Sequence, residues 1–275
     1  MTETGAQPIT YTGYYDAESR PVRGVVPAEA VITLNVNGQA LVRLMCTPTY
    51  LEDLAVGFLF NEGLIEGVSD VAVVELCSGG QGVDVWLEHD IKRPEVRAIT
   101  SGCSGGTTFE DVASAHHRVE SDLVVTPGQV TAWMEELLDA ASLYRRAGGI
   151  HTAALVAPGE ELQLICSAED VGRHNTLDKI AGICLRNDHL PEDGILLTSG
   201  RVSSEMVSKV AHMGVSVVVS RTSPTSLSIR LARAWGITLI GYTRRRSFRV
   251  YAGEERVVAE PGQSAGQQAR GERTR

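Results

Sequence analysis

Hydrophobic and polar positions alternate along VITLNV and QALVRLMC, on either side of Asn37-Gly38. A period of two predicts a strand on each side of a type I′ turn, whose central residues both take positive φ. The period changes in TPTYLEDLAVGFLFNEG. There Leu51, Leu54, Ala55, Phe58 and Leu59 recur at helical spacing, Thr49 and Glu52 have capping-box spacing, and Gly63 is placed to end the helix. VAVVELC and VDVWLEH then predict two strands around SGGQG. Pro127 predicts the start of a long amphipathic helix to about Arg146, closed by Gly148-Gly149.

The second half is more regular. TAALVA and LQLICS flank Pro158-Gly159 as a hairpin, and a helix follows from about Arg173 to Arg186. ILLTS, VSVVVS and ITLIGY are apolar strand runs separated by the helical patterns VSSEMVSKVAHM and TSLSIRLARAW, and FRVYA adds a further strand. Strands alternating with helices imply an α/β fold with a mainly parallel sheet covered on both faces. The expected organisation is a loose, pattern-poor arm over 1–24, a smaller N-terminal α+β domain over 25–124, the α/β domain over 125–252, and a disordered tail over 253–275.

Composition narrows the classes. The chain has 275 residues, 43% hydrophobic and 21% charged, as expected of a globular protein with room for two domains. A formal net charge of −9 argues against a general affinity for nucleic acid or an anionic membrane. No apolar run approaches the length of a bilayer span, and MTETGAQPITYTGYYDAESR lacks a basic segment followed by an apolar one, so the cytoplasm is the expected compartment. The 5 cysteines are widely spaced with no C-x-x-C pair, which argues against a disulfide framework or a zinc knot. No permanently bound metal is expected.

In α/β sheets ligands bind beyond the carboxyl ends of strands. Three such ends look alike: EDVGRHN with Arg173, His174 and Asn175; TSGRVSS with Ser199 and Arg201; and SRTSPTS with Arg221 and Ser223. Each brings polar groups, one arginine and a helix start, a combination that favours phosphate. The alternative is three capped helices with incidental arginines; three in one sheet favour the site. In EDVGRHNTLDK, His174, Asn175 and Asp178 are expected near the rim, outside the buried stripe of Leu177, Ile180, Ala181 and Cys184. Tyr242-Thr243-Arg244-Arg245-Arg246-Ser247 is a basic loop after the last strand of this proposed site.

Cys46, Cys77, Cys166 and Cys184 sit in or beside apolar patterns and read as small buried hydrophobes. Cys103, in TSGCSGG, has no apolar neighbour within three positions. It is either a surface cysteine in a linker or a reactive thiol whose thiolate the neighbouring glycine N–H groups stabilise. His116-His117 reads as a solvated helix turn, and His151 either faces the same sheet edge or is structural.

EDVGRHNTLDK, TSGRVSSEMVSKVAHMGV and SRTSPTSLSIRLARAWGITLIGY, with PTYLEDLAVGFLFNEGLI and TSGCSGG, closely resemble the formate dehydrogenase accessory sulfurtransferase family (FdhD, also called NarQ). The resemblance covers about residues 25 to 252. It implies a cytidine deaminase-like three-layer α/β domain at the C-terminus, a homodimer, and a sulfur carrier. Such a carrier takes sulfur from a cysteine desulfurase as a persulfide and passes it to the molybdenum cofactor, bis(molybdopterin guanine dinucleotide), before that cofactor enters the formate dehydrogenase catalytic subunit. By position Cys103 falls on the family's persulfide cysteine, and Tyr242 to Ser247 on its cofactor-binding segment. The polar EDVGRHN turn is then one wall of a guanine-nucleotide pocket.

Two positions depart from the family's pattern. Gly106 stands where many members have the second cysteine of C-x-x-C, and Arg246-Ser247 replaces a frequent Gly and Arg. The resemblance leaves a second reading, a non-catalytic cofactor-binding chaperone of formate dehydrogenase. A nucleobase deaminase would need H-x-E and P-C-x-x-C elements, which the chain lacks.

Overall fold

The computed structural model describes residues 5–91, 98–99, 107–108, 118–159, 163–190 and 193–259. Cys103, His116 and His117 lie outside the described residues, as does most of the expected tail.

Strands β1 (Ala6–Tyr15) and β2 (Glu18–Pro27) form an antiparallel ribbon in register from Ala6 opposite Pro27 to Tyr15 opposite Glu18. This corrects the loose arm expected over 1–24. Its turn uses Asp16 and Ala17, both at positive φ (48° and 71°). β3 (Ala30–Val36) and β4 (Gln39–Cys46) form the expected hairpin, with Asn37 and Gly38 at φ 49° and 75°. Helix α1 (Leu51–Asn61) follows, then β5 (Val71–Leu76) and β6 (Gly82–Leu87), giving a four-stranded sheet of order β4-β3-β6-β5. The helix does not use the capping box expected of Thr49. Its first flanking residue is Tyr50 in the left-handed region, and Thr49 Oγ1 instead accepts from Lys179 Nζ at 3.2 Å. Short strands β7 (Ala98–Ile99) and β8 (Thr107–Thr108) pair with Ile99 opposite Thr107.

The expected long helix after Pro127 is broken in two: α2 (Pro127–Ala140), started by a capping box of Thr126 and Gln129, and α3 (Ser142–Ala147). The Glu169 carboxylate accepts from Leu143 N (2.8 Å) and Tyr144 N (2.9 Å), so it caps the second helix where a continuous one would have bonded backwards. The remaining elements are β9 (His151–Ala157), β10 (Gln163–Asp170), α4 (Arg173–Arg186), β11 (Ile195–Thr198), α5 (Ser204–His212), β12 (Val217–Ser220), α6 (Ser226–Trp235), β13 (Thr238–Arg244) and β14 (Ser247–Ala252). Residues 253–259 continue as a short 3₁₀ turn at Glu254–Arg256 and a bridge from Val257 to Val125.

These strands form one six-stranded sheet of order β10-β9-β11-β12-β13-β14. It is mixed. Only β11–β12 and β12–β13 are parallel, which corrects the mainly parallel sheet expected. The other pairs are antiparallel because β9–β10 and β13–β14 are hairpins. Side chains alternate across the sheet. Ala154, Val156, Ile195, Leu197, Val217 and Val219 pack under α2 through Val130, Trp133, Met134 and Leu137. Ala153, Leu155, Leu196, Val218 and Leu239 join the opposite core with Leu177 and Ile180 of α4, Met206 and Val207 of α5, and Ala232 of α6. That core continues through Leu54, Phe58 and Leu59 of α1 to Ile32, Leu34, Val83 and Val85 of the four-stranded sheet. The regions expected as two domains therefore share one hydrophobic core.

Helices α1 and α4 meet at glycines. A Cβ on Gly57 would lie 1.8 Å from the Asp178 carbonyl oxygen, and one on Gly182 would lie 1.9 Å from that of Asp53. Beside this crossing, Lys209 Nζ of α5 donates to both Asp178 carboxylate oxygens (2.6 and 2.8 Å) and stands 3.4 Å from Glu62 Oε1. Burial alone would lower the Lys209 pKa, but Asp178 and Glu62 more than offset it and raise it. Lys209→Met would leave both carboxylates buried without their cation. It is expected to cost about 3–5 kcal/mol in urea unfolding, whereas adding Asp178→Leu should recover part of that loss.

Candidate functional site

β9 runs antiparallel to β10 and β11, so His151, its first residue, lies at the same sheet edge as Asp170, Thr198 and Ser220 at the strands' carboxyl ends. Backbone bonds stitch the turns at this edge together. Ser199 N donates to Thr152 O (2.8 Å) and Thr152 N to Ser199 Oγ (2.9 Å). Arg221 N donates to Thr198 O (2.9 Å), Val202 N to Ser223 O (3.1 Å) and Tyr242 N to Thr222 O (2.8 Å). The expected strand-end turns thus converge on one edge.

Gly200 brings two of them into contact. A Cβ there would lie 3.0 Å from Arg173 Cβ and 3.4 Å from His151 Nδ1, so the β11 turn can approach the α4 start only without a side chain. Neither α4, preceded by Gly172, nor α5, preceded by Ser203, carries a side-chain cap; α6 is capped by Thr225 and Ser228. The starts of α4 and α5 flank Arg173 and Arg201 and offer positive helix ends at this edge.

The basic loop divides. Arg221 Nη1 donates to Thr243 O (3.0 Å), while Arg244 Nη1 donates to Thr243 O (3.1 Å) and to Arg221 O, so these two arginines tie the β12 turn to the end of β13. Tyr242 holds φ 53°, uncommon without glycine, and the Arg249 guanidinium lies 4.3 Å over its ring. The buried Thr243 Oγ1 has no hydrogen-bond partner among the described residues. Arg245 stands 3.3 Å from Glu135 of α2, and Arg245 and Arg246 line a separate cleft of about 450 Å³ with Pro127, Gly128, Thr131 and Phe248. Ser247 opens β14 and is exposed.

The polar EDVGRHNTLDK stretch serves two purposes. Asp170 and Lys179 form a fully buried ion pair at 2.6 Å. Asp170 also accepts from Thr47 N (3.0 Å), Gly172 N (2.7 Å) and Asn175 Nδ2 (2.8 Å), and Asn175 Nδ2 donates to Met45 O at 2.8 Å. Asn175 is buried among these structural partners and Asp178 against Lys209 and Asn61, which corrects their expected place at the rim. Arg173 and His174 remain toward the strand-end turns.

His174 Nε2 lies 3.1 Å from Ser203 Oγ and 3.2 Å from Glu205 Oε2. Burial, then the charges of Arg173, Lys209 and Arg201, push its pKa down to about 3, so the imidazole is neutral and Nε2–H is a hydrogen-bond donor rather than half of an ion pair. Burial and Arg173 lower His151 as well. Ser203 and Glu205 were not singled out from sequence, because an acid in a helix's first turn reads as ordinary dipole compensation.

Cys46, Cys166 and Cys184 pack in or against the core as expected, whereas Cys77, also expected to be a buried hydrophobe, is only half-buried and accepts from Asn35 Nδ2 at 3.8 Å. Burial, reinforced by Asp170, raises Cys46 to about 12, and burial with Asp84 raises Cys77. Cys166 and Cys184 contact each other at 3.6 Å between β10 and α4. Among the described residues, no helix is long and apolar enough to cross a membrane, and no group of three or more His, Cys, Asp or Glu is placed to hold a metal ion.

Known proteins share this architecture. A solved structure from Desulfotalea psychrophila, described as a formate dehydrogenase accessory protein, superposes with a TM-score of 0.77 over 92% of this chain and 100% of its own, at 24% identity, a likeness of fold. The chain is 36% identical over 251 residues to the sulfur carrier protein FdhD of Bacillus subtilis, covering 89% of this chain and 94% of that one. It is 35% identical over 245 residues to the protein of the same name from Listeria monocytogenes, covering 86% and 93%. The sequence profile of the FdhD/NarQ family matches residues 27–258. The chain belongs to the FdhD/NarQ family.

Proposed function

We propose that the protein is a sulfur carrier, a sulfurtransferase in the cytoplasm that serves formate dehydrogenase. In this reading the Cys103 thiolate attacks the outer sulfur of a persulfide on a cysteine desulfurase, the desulfurase cysteine leaves as thiolate, and Cys103 holds the new persulfide. The cargo's recipient is bis(molybdopterin guanine dinucleotide) molybdenum cofactor, bound as substrate before it enters the formate dehydrogenase catalytic subunit. A homodimer would bring one subunit's Cys103 loop and strand-end site within reach of the other's. The three layers around the six-stranded sheet are compatible with a cytidine deaminase-like domain.

The observation that carries the reading is the cationic sheet edge in a chain whose relatives are named sulfur carriers. Arg173, Arg201 and two helix starts without side-chain caps meet there, a donor set suited to a dinucleotide's phosphates. Their chemistry fits a phosphorylated ligand. Guanine nucleotides are therefore expected to bind, and adenine nucleotides more weakly, in calorimetric titration. Arg173→Ala should weaken GDP binding roughly 10- to 150-fold, the loss of one charge-assisted contact. Equal binding of GDP and ADP would count against the site. Gly106, in place of a second loop thiol, favours the chaperone as the alternative. Mass spectrometry after incubation with a desulfurase decides between them: an added sulfur on Cys103 supports the carrier, and none supports the chaperone.

A further inference from the structure

β10 is an edge strand of the six-stranded sheet, and its pairing with β9 is bulged. Leu164 stands opposite Val156, yet Cys166 stands opposite Leu155, so Ile165 is the extra residue. An unbulged strand would place Cys166 opposite Ala154, whose side chain faces α2. The bulge instead turns Cys166 to the face of Leu155, against α4. There its sulfur meets that of Cys184, on the buried stripe of the helix, at 3.6 Å. Cys184 is 1% exposed, and the half-buried Cys166 is the member nearer solvent. A disulfide bond is about 2.05 Å long, so the sulfurs need to close by only about 1.5 Å more, a distance that side-chain rotation covers. The Cys166 thiol donates to Cys184 and lowers its pKa, so the pair shares one proton when the other has left.

We propose that Cys166 and Cys184 are an oxidisable dithiol, a modification site at which a peroxide forms a disulfide that staples β10 to α4. With the shared proton on Cys184, the Cys166 thiolate attacks one oxygen of hydrogen peroxide. The O–O bond breaks, hydroxide leaves and is protonated to water, and Cys166 becomes a sulfenic acid. The Cys184 sulfur then attacks the Cys166 sulfur. The S–S bond forms, the S–O bond breaks, and the hydroxide departs with the Cys184 proton as a second water. Two thiols lose two electrons and one peroxide gains them. The loop so closed runs from the end of β10 through Asp170, Arg173 and His174 into α4, and the staple fixes that turn at the strand-end edge. In a reducing compartment such a bond is transient and reports oxidant. The inference stands apart from the proposed function, which needs neither thiol.

The test uses the full chain carrying Cys103→Ala, which removes the loop thiol and leaves four cysteines. Treated with hydrogen peroxide, then unfolded and alkylated, it should lose two alkylatable thiols, and peptide mapping should join Cys166 to Cys184. Dithiothreitol should restore both. The oxidised form should unfold at a higher urea concentration, by roughly 1 M for a loop of this size. Cys166→Ser and Cys184→Ser, each in the same background, should show no rise in midpoint with peroxide. If either fails to fold, the mapping on the parent chain decides alone. Four thiols remaining after peroxide, a Cys166 carried on to sulfinic acid, or a bond between other cysteines overturns the inference. A Cys166–Cys184 bond that lowers the urea midpoint overturns it too, because a bond that suits the fold stabilises it and a forced one strains it. Sulfur loading of Cys103 enters none of these measurements, so failure here leaves the proposed function standing.

Discussion

Gly182→Ala is expected to cost more than about 4 kcal/mol of stability, a loss seen only when a substitution disrupts a core or a backbone. The added methyl would lie 1.9 Å from the Asp53 carbonyl oxygen and 2.6 Å from its carbonyl carbon. Both are backbone atoms, so no rotamer change relieves the clash. Helices α1 and α4 would have to separate, loosening Leu54, Phe58, Leu177 and Ile180 along the shared core. Overpacking relieved by side-chain movement costs typically about 1–3 kcal/mol; here backbone atoms clash and the Asp178–Lys209 pair beside the crossing would be strained too, which puts the cost above that range. Alanine's better helix propensity returns only about 1 kcal/mol. Gly57→Ala should behave alike, since its methyl would meet Asp178 O at 1.8 Å and Gly182 N at 2.6 Å. Gly67→Ala, where only Ser69 Oγ at 3.9 Å is near, is the control and should change stability by less than about 0.5 kcal/mol. Urea unfolding of the three variants checks this. A Gly182→Ala protein as stable as the Gly67→Ala control would refute the close crossing.

The second large effect is functional. Cys103→Ala should abolish formate dehydrogenase maturation in cells that lack their own carrier, without changing the thermal midpoint. A persulfide needs a nucleophilic thiolate that a partner protein can reach. Cys46 is buried with its pKa pushed to about 12, Cys77 is raised by burial and Asp84, and Cys166 and Cys184 are occupied with each other. Replacing each of these four by serine or alanine should preserve sulfur transfer wherever the fold survives. Enzyme assays on the client, paired with melting curves of the carrier, separate loss of transfer from loss of structure. Full client activity with Cys103→Ala would sink the carrier reading.

The regular elements were legible because their patterns are local. Asn37-Gly38 announced its turn, and α4, α5 and α6 lie close to where their apolar periods placed them. The β1–β2 ribbon was not legible. Both of its faces are largely exposed, so no face selects an alternation, and Asp16-Ala17 is not a usual signal for a left-handed turn. The break between α2 and α3 depends on Glu169, distant in sequence, so helical periodicity ran through it. The mixed sheet escaped because the two hairpins at its edges reverse direction without changing the apolar runs. At the site, the clustering of polar turns could be read from strand–helix order. The division of labour within EDVGRHNTLDK could not. Asp170 meets Thr47 across 123 residues and Asp178 meets Asn61 across 117, and no local pattern reports such partners.

The glycine crossing also sets a schedule for biosynthesis. Gly57 leaves the ribosome 125 residues before Gly182, the difference of their positions. At about 5–20 residues per second, α1 waits roughly 6–25 s for the helix that covers it. During that interval the apolar side of α1, with Leu54, Phe58 and Leu59, has the four-stranded sheet to lie on but no α4 above it. Slowing translation between the two helices should therefore lower the yield of soluble protein more than slowing it after α4 has emerged.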